Sequence, residues 1–425
     1  MLQTSMNRRR LAGALWSAGL ALIALGGWRL GRDLLGWGRP NVLLITLDTT
    51  RADRLGCYGY AGARTPALDR LAARGVLFEQ AVCSAPLTLP SHATILTGLL
   101  PPEHGLRLNS VGALPAGVPT LATELRRRGY RTAAFVAATV LAAKFGLDRG
   151  FQVYDDNIPP EARRGGGEGG QAYRSGESVA DAAIRWLQQP SRAPFFCWVH
   201  FYDPHWPYHA HTDRFGAQFA DRPYDAEIAY LDAQVQRLLD ALTQTGVGPR
   251  TLIVAVGDHG ETLAGEPHAE PRPHHGLMLY RGTMRVPLIL CGAGVRRHGR
   301  RVGALVETAD VFPTVLACCG ARAPARSSGR DLRPWLRGRS AAPRACYGES
   351  ELPASYGWSG QRSLTTEEWK YIRSPVPELY DLVADPNETN NLAAARRSRR
   401  WAPCSGWCWR PASPCSASCR RCSTG

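Results

Sequence analysis

Apolar residues along this chain come in short unbroken runs, separated by stretches where they recur every three or four positions. Asn41–Leu47 (NVLLITL) is such a run and ends on Asp48. Thr132–Ala137, Phe195–Phe201, Thr251–Val256 and Val286–Leu290 repeat the pattern. Runs of this length without polar alternation predict strands buried on both faces. Pro66–Arg74, Pro119–Arg128, Glu177–Leu187 and Glu227–Leu242 carry the helical spacing, most clearly in the last, EIAYLDAQVQRLLDAL. Strands alternating with helices predict an α/β fold with helices on both faces of a sheet. In such sheets chemistry gathers at the carboxyl ends of strands. Asp48, the pair His200 and Asp203, and the pair Asp258 and His259 stand at such ends.

One apolar run does not belong to this pattern. Leu11–Trp28 is 18 uncharged residues long and follows Arg8, Arg9 and Arg10. At about 1.5 Å per residue it is just long enough to cross a thin hydrocarbon core, and the arginines would hold its start in the cytoplasm. No small-x-small cleavage site follows it. The expectation is therefore an uncleaved signal anchor over a buried first helix, with the remainder periplasmic or extracellular and the membrane a partner.

Charge changes the picture once it is located. The net +15 looks like a nucleic-acid signal, but residues 1–40 hold six arginines against one acid and residues 396–425 hold seven against none, leaving +3 between. The middle carries no phosphate-tracking excess, so nucleic acid is not an expected partner. Only Lys144 and Lys370 among 51 basic residues are lysine, which reads as coding bias. Seven of the twelve cysteines are scattered through the body without zinc-type spacing. The other five crowd the tail after Arg396, which has no periodicity and no acid; it reads as an out-of-frame translation, or more sharply as a zinc-binding tail.

The candidate chemistry is a set of dispersed oxygen and nitrogen donors. Asp48 lies in LLITLDTTRADRLGCYGY, Thr88 in APLTLPSHATILTG, and Asp258 with His259 in VAVGDHGE. Two carboxylates, an imidazole and a hydroxyl suit a hard or borderline divalent cation, and a hydroxyl beside such an ion becomes a better nucleophile.

These segments, together with HFYDPHWPY at His200–Tyr208, HHGLMLYRGTMRVPLIL, ADVFPTVL and ELYDLVADPNETNNLA, resemble the sulfatase family of the alkaline-phosphatase superfamily, in order from about Asn41 to Ala395. The resemblance implies an α/β fold with an alkaline-phosphatase-like central, largely parallel sheet, helices on both faces and a smaller C-terminal subdomain. It implies an anchor and linker at 1–40, a catalytic domain at 41–320, a C-terminal subdomain at 321–395 and an atypical tail at 396–425. It implies that Asp48, Asp258 and His259 are metal ligands. Thr88 matches the nucleophile position, which also touches the metal. His205 would protonate the leaving group, and His275 would lie near the substrate anion.

Two departures bear on the reaction. Sulfatases carry Cys or Ser where this chain has Thr88, later oxidised to formylglycine; a Thr alcohol would give a ketone. His92 replaces the Arg that steadies the aldehyde hydrate. Thr49 stands where calcium-dependent members have a second Asp, which moves the expected single divalent ion from Ca²⁺ toward Mn²⁺ or Zn²⁺. Members with Thr resemble phosphoester-processing enzymes. The reading is a metal-dependent hydrolase of anionic esters, phosphate more than sulfate, acting through a covalent Thr88 intermediate. The alternatives are a membrane-anchored phosphotransferase acting on cell-envelope glycans or lipids, and a non-catalytic product with a disrupted C-terminus.

Overall fold

In the computed structural model, residues 38–159, 162–164, 172–270, 275–296 and 298–396 are described. The anchor expected at Leu11–Trp28 and the tail from residue 397 lie outside them. Among the described residues, no helix is long and apolar enough to cross a membrane.

The strands are β1 (Asn41–Leu47), β2 (Gly75–Val82), β3 (Arg131–Phe135), β4 (Val153–Asp155), β5 (Phe195–Phe201), β6 (Thr251–Gly257), β7 (Arg285–Gly292) and β8 (Arg300–Glu307). They form one sheet in the order β8-β2-β7-β6-β1-β5-β3-β4. The central strands β1, β5 and β6 are buried at every position, as their unbroken apolar runs predict. All pairings are parallel except those of β7 with β2 and with β6.

The apolar runs do not reveal β2, β8 or the three-residue β4. In β2 the run is broken by Glu79 and Gln80, which sit where the register shifts between Phe78 and Ala81. In β8, RRVGALVE exposes its polar first half at the sheet edge.

Helices α1 (Pro66–Arg74), α2 (Thr88–Thr97), α3 (Leu121–Arg126), α4 (Gly176–Leu187), α5 (Pro223–Gln244) and α6 (Val311–Cys318) cover the sheet. One layer is α1, α4 and α5, with α5 touching both others; the second is α2, α3 and α6, in mutual contact. Helix α1 is tied to α5 by an acid, because Asp232 accepts the Ala67 and Leu68 N–H groups at 2.9 Å each. Those N–H groups have no partner within their own helix, so the carboxylate caps it from a distant element.

The smaller C-terminal unit is an antiparallel meander of β9 (Cys346–Ser350), β10 (Gln361–Thr365), β11 (Trp369–Arg373) and β12 (Glu378–Asp381). It is fastened to the main sheet by Glu388, which is buried. One carboxylate oxygen takes the Lys370 ammonium at 2.9 Å and the other takes the Arg281 N–H at 2.8 Å. The Glu349 N–H donates to the Ser84 carbonyl at 2.9 Å.

Candidate active site

Parallel register builds the floor of the site. Thr46 of β1 lies beside His200 of β5, and Leu47 lies beside both Phe201 and Gly257 of β6. The next residues along β1 and β6 are Asp48 and Asp258, so strand pairing alone brings two carboxylates and an imidazole to one sheet edge. All three residues are fully buried.

The hydrogen bonds fix the tautomers. Ala137 N–H donates to His200 Nδ1 at 3.1 Å, so His200 carries its proton on Nε2 and donates to Asp48 Oδ2 at 3.1 Å. Burial, with charge from His92 and Arg174, keeps this imidazole well below its ordinary pKa and hence neutral. His259 Nδ1 donates to the Gly260 carbonyl at 3.0 Å, which leaves its Nε2 lone pair facing inward. Asp258 Oδ1 is held by the N–H groups of His259 at 2.7 Å and Thr49 at 3.2 Å. Thr49 reaches it from a left-handed backbone with φ of 48°, a conformation a β-branched residue adopts only under strain.

Those bonds leave a cluster of acceptors. His259 Nε2 is 3.9 Å from Asp48 Oδ1 and 3.5 Å from Asp258 Oδ2, and neither oxygen has a hydrogen-bond partner. Burial, reinforced by the charges of Asp258, Glu261 and Asp203, pushes the Asp48 carboxyl well above the carboxylate range. Burial does the same to Asp258, opposed by its two N–H donors. Lone pairs facing one another in a dry site are costly unless a cation lies between them. One ligand atom from each of Asp48, Asp258 and His259 lies within 4.8 Å of the others, so these residues fit a divalent metal ion.

Thr88 enters from the opposite layer. It is the first residue of α2, whose ten residues are all buried, and its hydroxyl lies 3.3 Å from His259 Nε2. The positive end of the helix dipole therefore sits at the hydroxyl and favours negative charge there. The helix is locked to β6 by Ser91 Oγ, which donates to the Asp258 carbonyl at 2.6 Å. At its far end Gly98 has φ of 68°, and a Cβ there would lie 2.6 Å from Ser327 Oγ and 2.8 Å from Phe312, so the cap admits only glycine.

The other candidate histidines take distinct places. His205 Nδ1 donates to the Trp206 carbonyl at 2.6 Å while its ring stacks on Tyr202 at 4.2 Å. His275 donates from Nδ1 to Glu261 Oε1 at 2.9 Å, and burial pushes its pKa down to about 4. Its ring centroid lies 4.5 Å from His259 and 5.0 Å from His205, so the three rings form an arc. His92 lies one turn into α2. Its Nδ1 donates back to the Thr88 carbonyl at 2.8 Å, its Nε2 has no partner, and burial lowers its pKa to about 4.

Sequence reasoning assigned no role to His200 or Glu261, which orient Asp48 and His275. The signal for Glu261 was present in GDHGE, three residues after Asp258.

The family model described as Sulfatase matches residues 40–321, and that described as N-sulphoglucosamine sulphohydrolase, C-terminal, matches residues 274–401. The Delta 4,5-hexuronate-2-O-sulfatase of Bacteroides thetaiotaomicron is 27% identical over 416 residues, covering 84% of this chain and 85% of that one. Among solved structures, a 2-O GAG sulfatase matches with a TM-score of 0.70 at 23% identity, covering 85% of this chain and 89% of the other. The phosphonate monoester hydrolase of Agrobacterium radiobacter matches with a TM-score of 0.67 at 24% identity, covering 85% and 93%. Both of these likenesses are of fold.

Proposed function

The chain belongs to the sulfatase family of hydrolases, in the alkaline-phosphatase superfamily, and from that premise we propose that it cleaves anionic esters, phosphate in preference to sulfate, with Thr88 as the nucleophile. The observation that carries this reading is the Thr88 hydroxyl, 3.3 Å from His259 Nε2 at the edge of the acceptor cluster. A secondary alcohol there cannot become the aldehyde on which sulfate cleavage in this family relies, but it can serve directly in phosphoryl transfer.

Asp48, Asp258 and His259 would hold one divalent ion, Mn²⁺, Zn²⁺ or Ca²⁺, which would offset charge on the ester and favour the Thr88 alkoxide. Thr88 Oγ1, its proton released to solvent water, forms a bond to phosphorus as the bond to the leaving alcohol breaks. His205, its Nδ1 occupied by the Trp206 carbonyl, delivers a proton from Nε2 to the departing oxygen. His275, oriented by Glu261, lines the place of the non-bridging oxygens. Water then cleaves the Thr88 ester and regenerates the hydroxyl; an acceptor alcohol in its place would make the protein a transferase. The anchor expected at Leu11–Trp28 would set this chemistry outside the cytoplasmic membrane, which membrane fractionation and protease accessibility test.

Purified protein assayed on 4-nitrophenyl phosphate, phosphonate and sulfate with each ion in turn tests the reading. Intact-mass measurement should show Thr88 unmodified. Thr88→Ala should lose about 10³-fold or more in turnover, and Thr88→Ser should keep part of it. Faster turnover of the sulfate than of either phosphorus ester, with Thr88 unmodified, overturns the preference. Near-normal turnover in Thr88→Ala overturns the nucleophile.

A further inference from the structure

The parallel strands begin on one face of the molecule and end at the candidate active site on the other. On the starting face, residues 38–40, 72–74, 126–130, 148–152, 188–194 and 245–250 lead into β1–β6, and residues 293–296 lead out of β7. These segments carry nine arginines against one acid, Asp148. Direct bonds join them into one surface. Arg39 donates to the Arg128 carbonyl at 2.6 Å, Tyr130 to the Pro40 carbonyl at 3.0 Å, and the Arg131 N–H to the Pro194 carbonyl at 2.9 Å. On the other side of β1, Asn41 reaches the Thr251 hydroxyl at 3.5 Å, and the Ala293 N–H donates to the Thr251 carbonyl at 3.0 Å. The sheet has eight strands, and at about 4.8 Å between neighbours they make a strip roughly 30 Å wide.

Arg74, Arg126, Arg128, Arg192, Arg250 and Arg296 are exposed, and none has a carboxylate partner among the described residues; Arg127 pairs with Glu124. The far face has the opposite sign, with Asp48, Asp203, Asp258 and Glu261 at or beyond the ends of β1, β5 and β6. The small net charge of residues 41–395 therefore conceals two faces of opposite charge. Helix dipoles account for part of this, since Arg74 and Arg126 end α1 and α3, where cations meet the negative end of a helix. Arg192 and Arg296 lie in turns past any helix end.

The surroundings of the arginines select a partner. A single-stranded nucleic acid needs aromatic rings to stack on, and the exposed aromatic rings among the described residues, Tyr356 and Trp358, belong to the C-terminal unit. A duplex is read by a helix or ribbon laid in a groove, whereas α1 and α3 reach this face only by their last residues. A lipid surface needs neither, because its phosphates attract guanidinium groups spread over a plane and lying within about 8 Å of it. The chain also enters from this side. β1 starts here, and twelve residues separate it from the uncharged run Leu11–Trp28. Twelve residues reach at most about 40 Å, so a membrane holding that run would lie within that distance of the arginines. We propose that this basic face docks on a membrane surface containing anionic phospholipid and turns the candidate active site away from the bilayer. The docking stands whether or not Thr88 is the nucleophile.

Hydrogen exchange of the full-length protein tests it, on vesicles of phosphatidylcholine alone and of phosphatidylcholine mixed with phosphatidylglycerol. Residues 126–130 and 245–250 should exchange about tenfold more slowly on the mixed vesicles only, and high salt should abolish the difference, because exposed charges are screened. Residues 260–266, on the far face, should not change. Arg126→Gln/Arg127→Gln/Arg128→Gln should lose most of the slowing with the thermal unfolding midpoint unchanged. Arg214→Gln/Arg373→Gln, at exposed arginines elsewhere, should keep it. Equal slowing on both vesicles, the mark of an apolar anchor acting alone, would overturn the docking face. So would slowing on neither, slowing confined to residues 260–266, full slowing in the triple variant, or stronger slowing by duplex DNA than by the mixed vesicles.

Discussion

The floor of the site and its rim are both built from charged side chains, yet their charges are in opposite states of completion. On the floor, Asp48, Asp258 and His259 are fully buried, and two carboxylate oxygens have no partner. On the rim, Arg107, Arg362, Glu349 and Glu351 pair among themselves, and Tyr347 adds its hydroxyl to Glu349 at 2.7 Å. A buried cluster left incomplete is costly to fold and is retained where a ligand completes it. A closed network asks for nothing further and holds two segments together. Incompleteness marks the chemistry, and completion marks the scaffold around it.

Asp258→Asn is the sharpest way to break the floor. The amide oxygen can keep the bonds from His259 and Thr49 while the charge is removed. In chelator the variant should unfold at the same temperature as wild type or higher, because one of two mutually repelling carboxylates is gone. In wild type, saturating metal at 100 times its Kd should add about 2.7 kcal/mol of stability. In the variant that increment should vanish, with turnover down on the order of 10³-fold. A metal-dependent rise that survives in Asp258→Asn would remove Asp258 from the ligand set.

His205→Ala should have a smaller and selective effect. A proton donor matters when the leaving alcohol is poor, so alkyl phosphates should slow by about 10²-fold and 4-nitrophenyl phosphate much less. Equal losses on both, measured as kcat/KM, would give His205 another task.

The fastening of the C-terminal unit gives a stability effect instead. Lys370→Met leaves Glu388 buried with the Arg281 N–H but without its ammonium, and breaking a buried pair in this way costs about 3–5 kcal/mol. Adding Glu388→Gln should restore part of it. Chemical denaturation of the three proteins decides the matter: a single variant as stable as wild type would mean the pair does not hold the unit.

These regions also differed in how far the sequence betrayed them. The floor was legible because its residues terminate unbroken apolar runs, and parallel strands in register align whatever follows them. Five of the eight main strands were visible for that reason, whereas β4 is only three residues long and β2 and β8 carry polar interruptions at an irregular register and an exposed edge. The bond from His200 to Asp48 joins residues 152 positions apart, and the bond from Arg107 to Glu349 spans 242, distances at which no periodicity speaks. The rarity of lysine reads as coding bias, yet Lys370 is buried and paired, a role visible only once Glu388 is folded beside it. The order and spacing of the blocks, and not local pattern, singled out Thr88 and His205.

The smallest effect is expected at Arg107, and it sharpens the contrast with Lys370. Glu349 is buried, so by burial alone removal of its main partner would be as damaging as removal of Lys370. Glu349 would still keep the Tyr347 hydroxyl at 2.7 Å, and the Arg362 guanidinium lies 3.5 Å away. The Arg107 side chain is itself 35% exposed, so water screens its attraction and solvates what remains. Arg107→Ala should therefore cost about 1 kcal/mol or less, a shift of a few degrees in thermal midpoint. The double variant Arg107→Ala/Arg362→Ala should cost more than the two single variants added together, because the second loss strands a buried carboxylate that the first did not. Strictly additive losses in that cycle would show that the rim is a set of independent surface pairs and not a closed network.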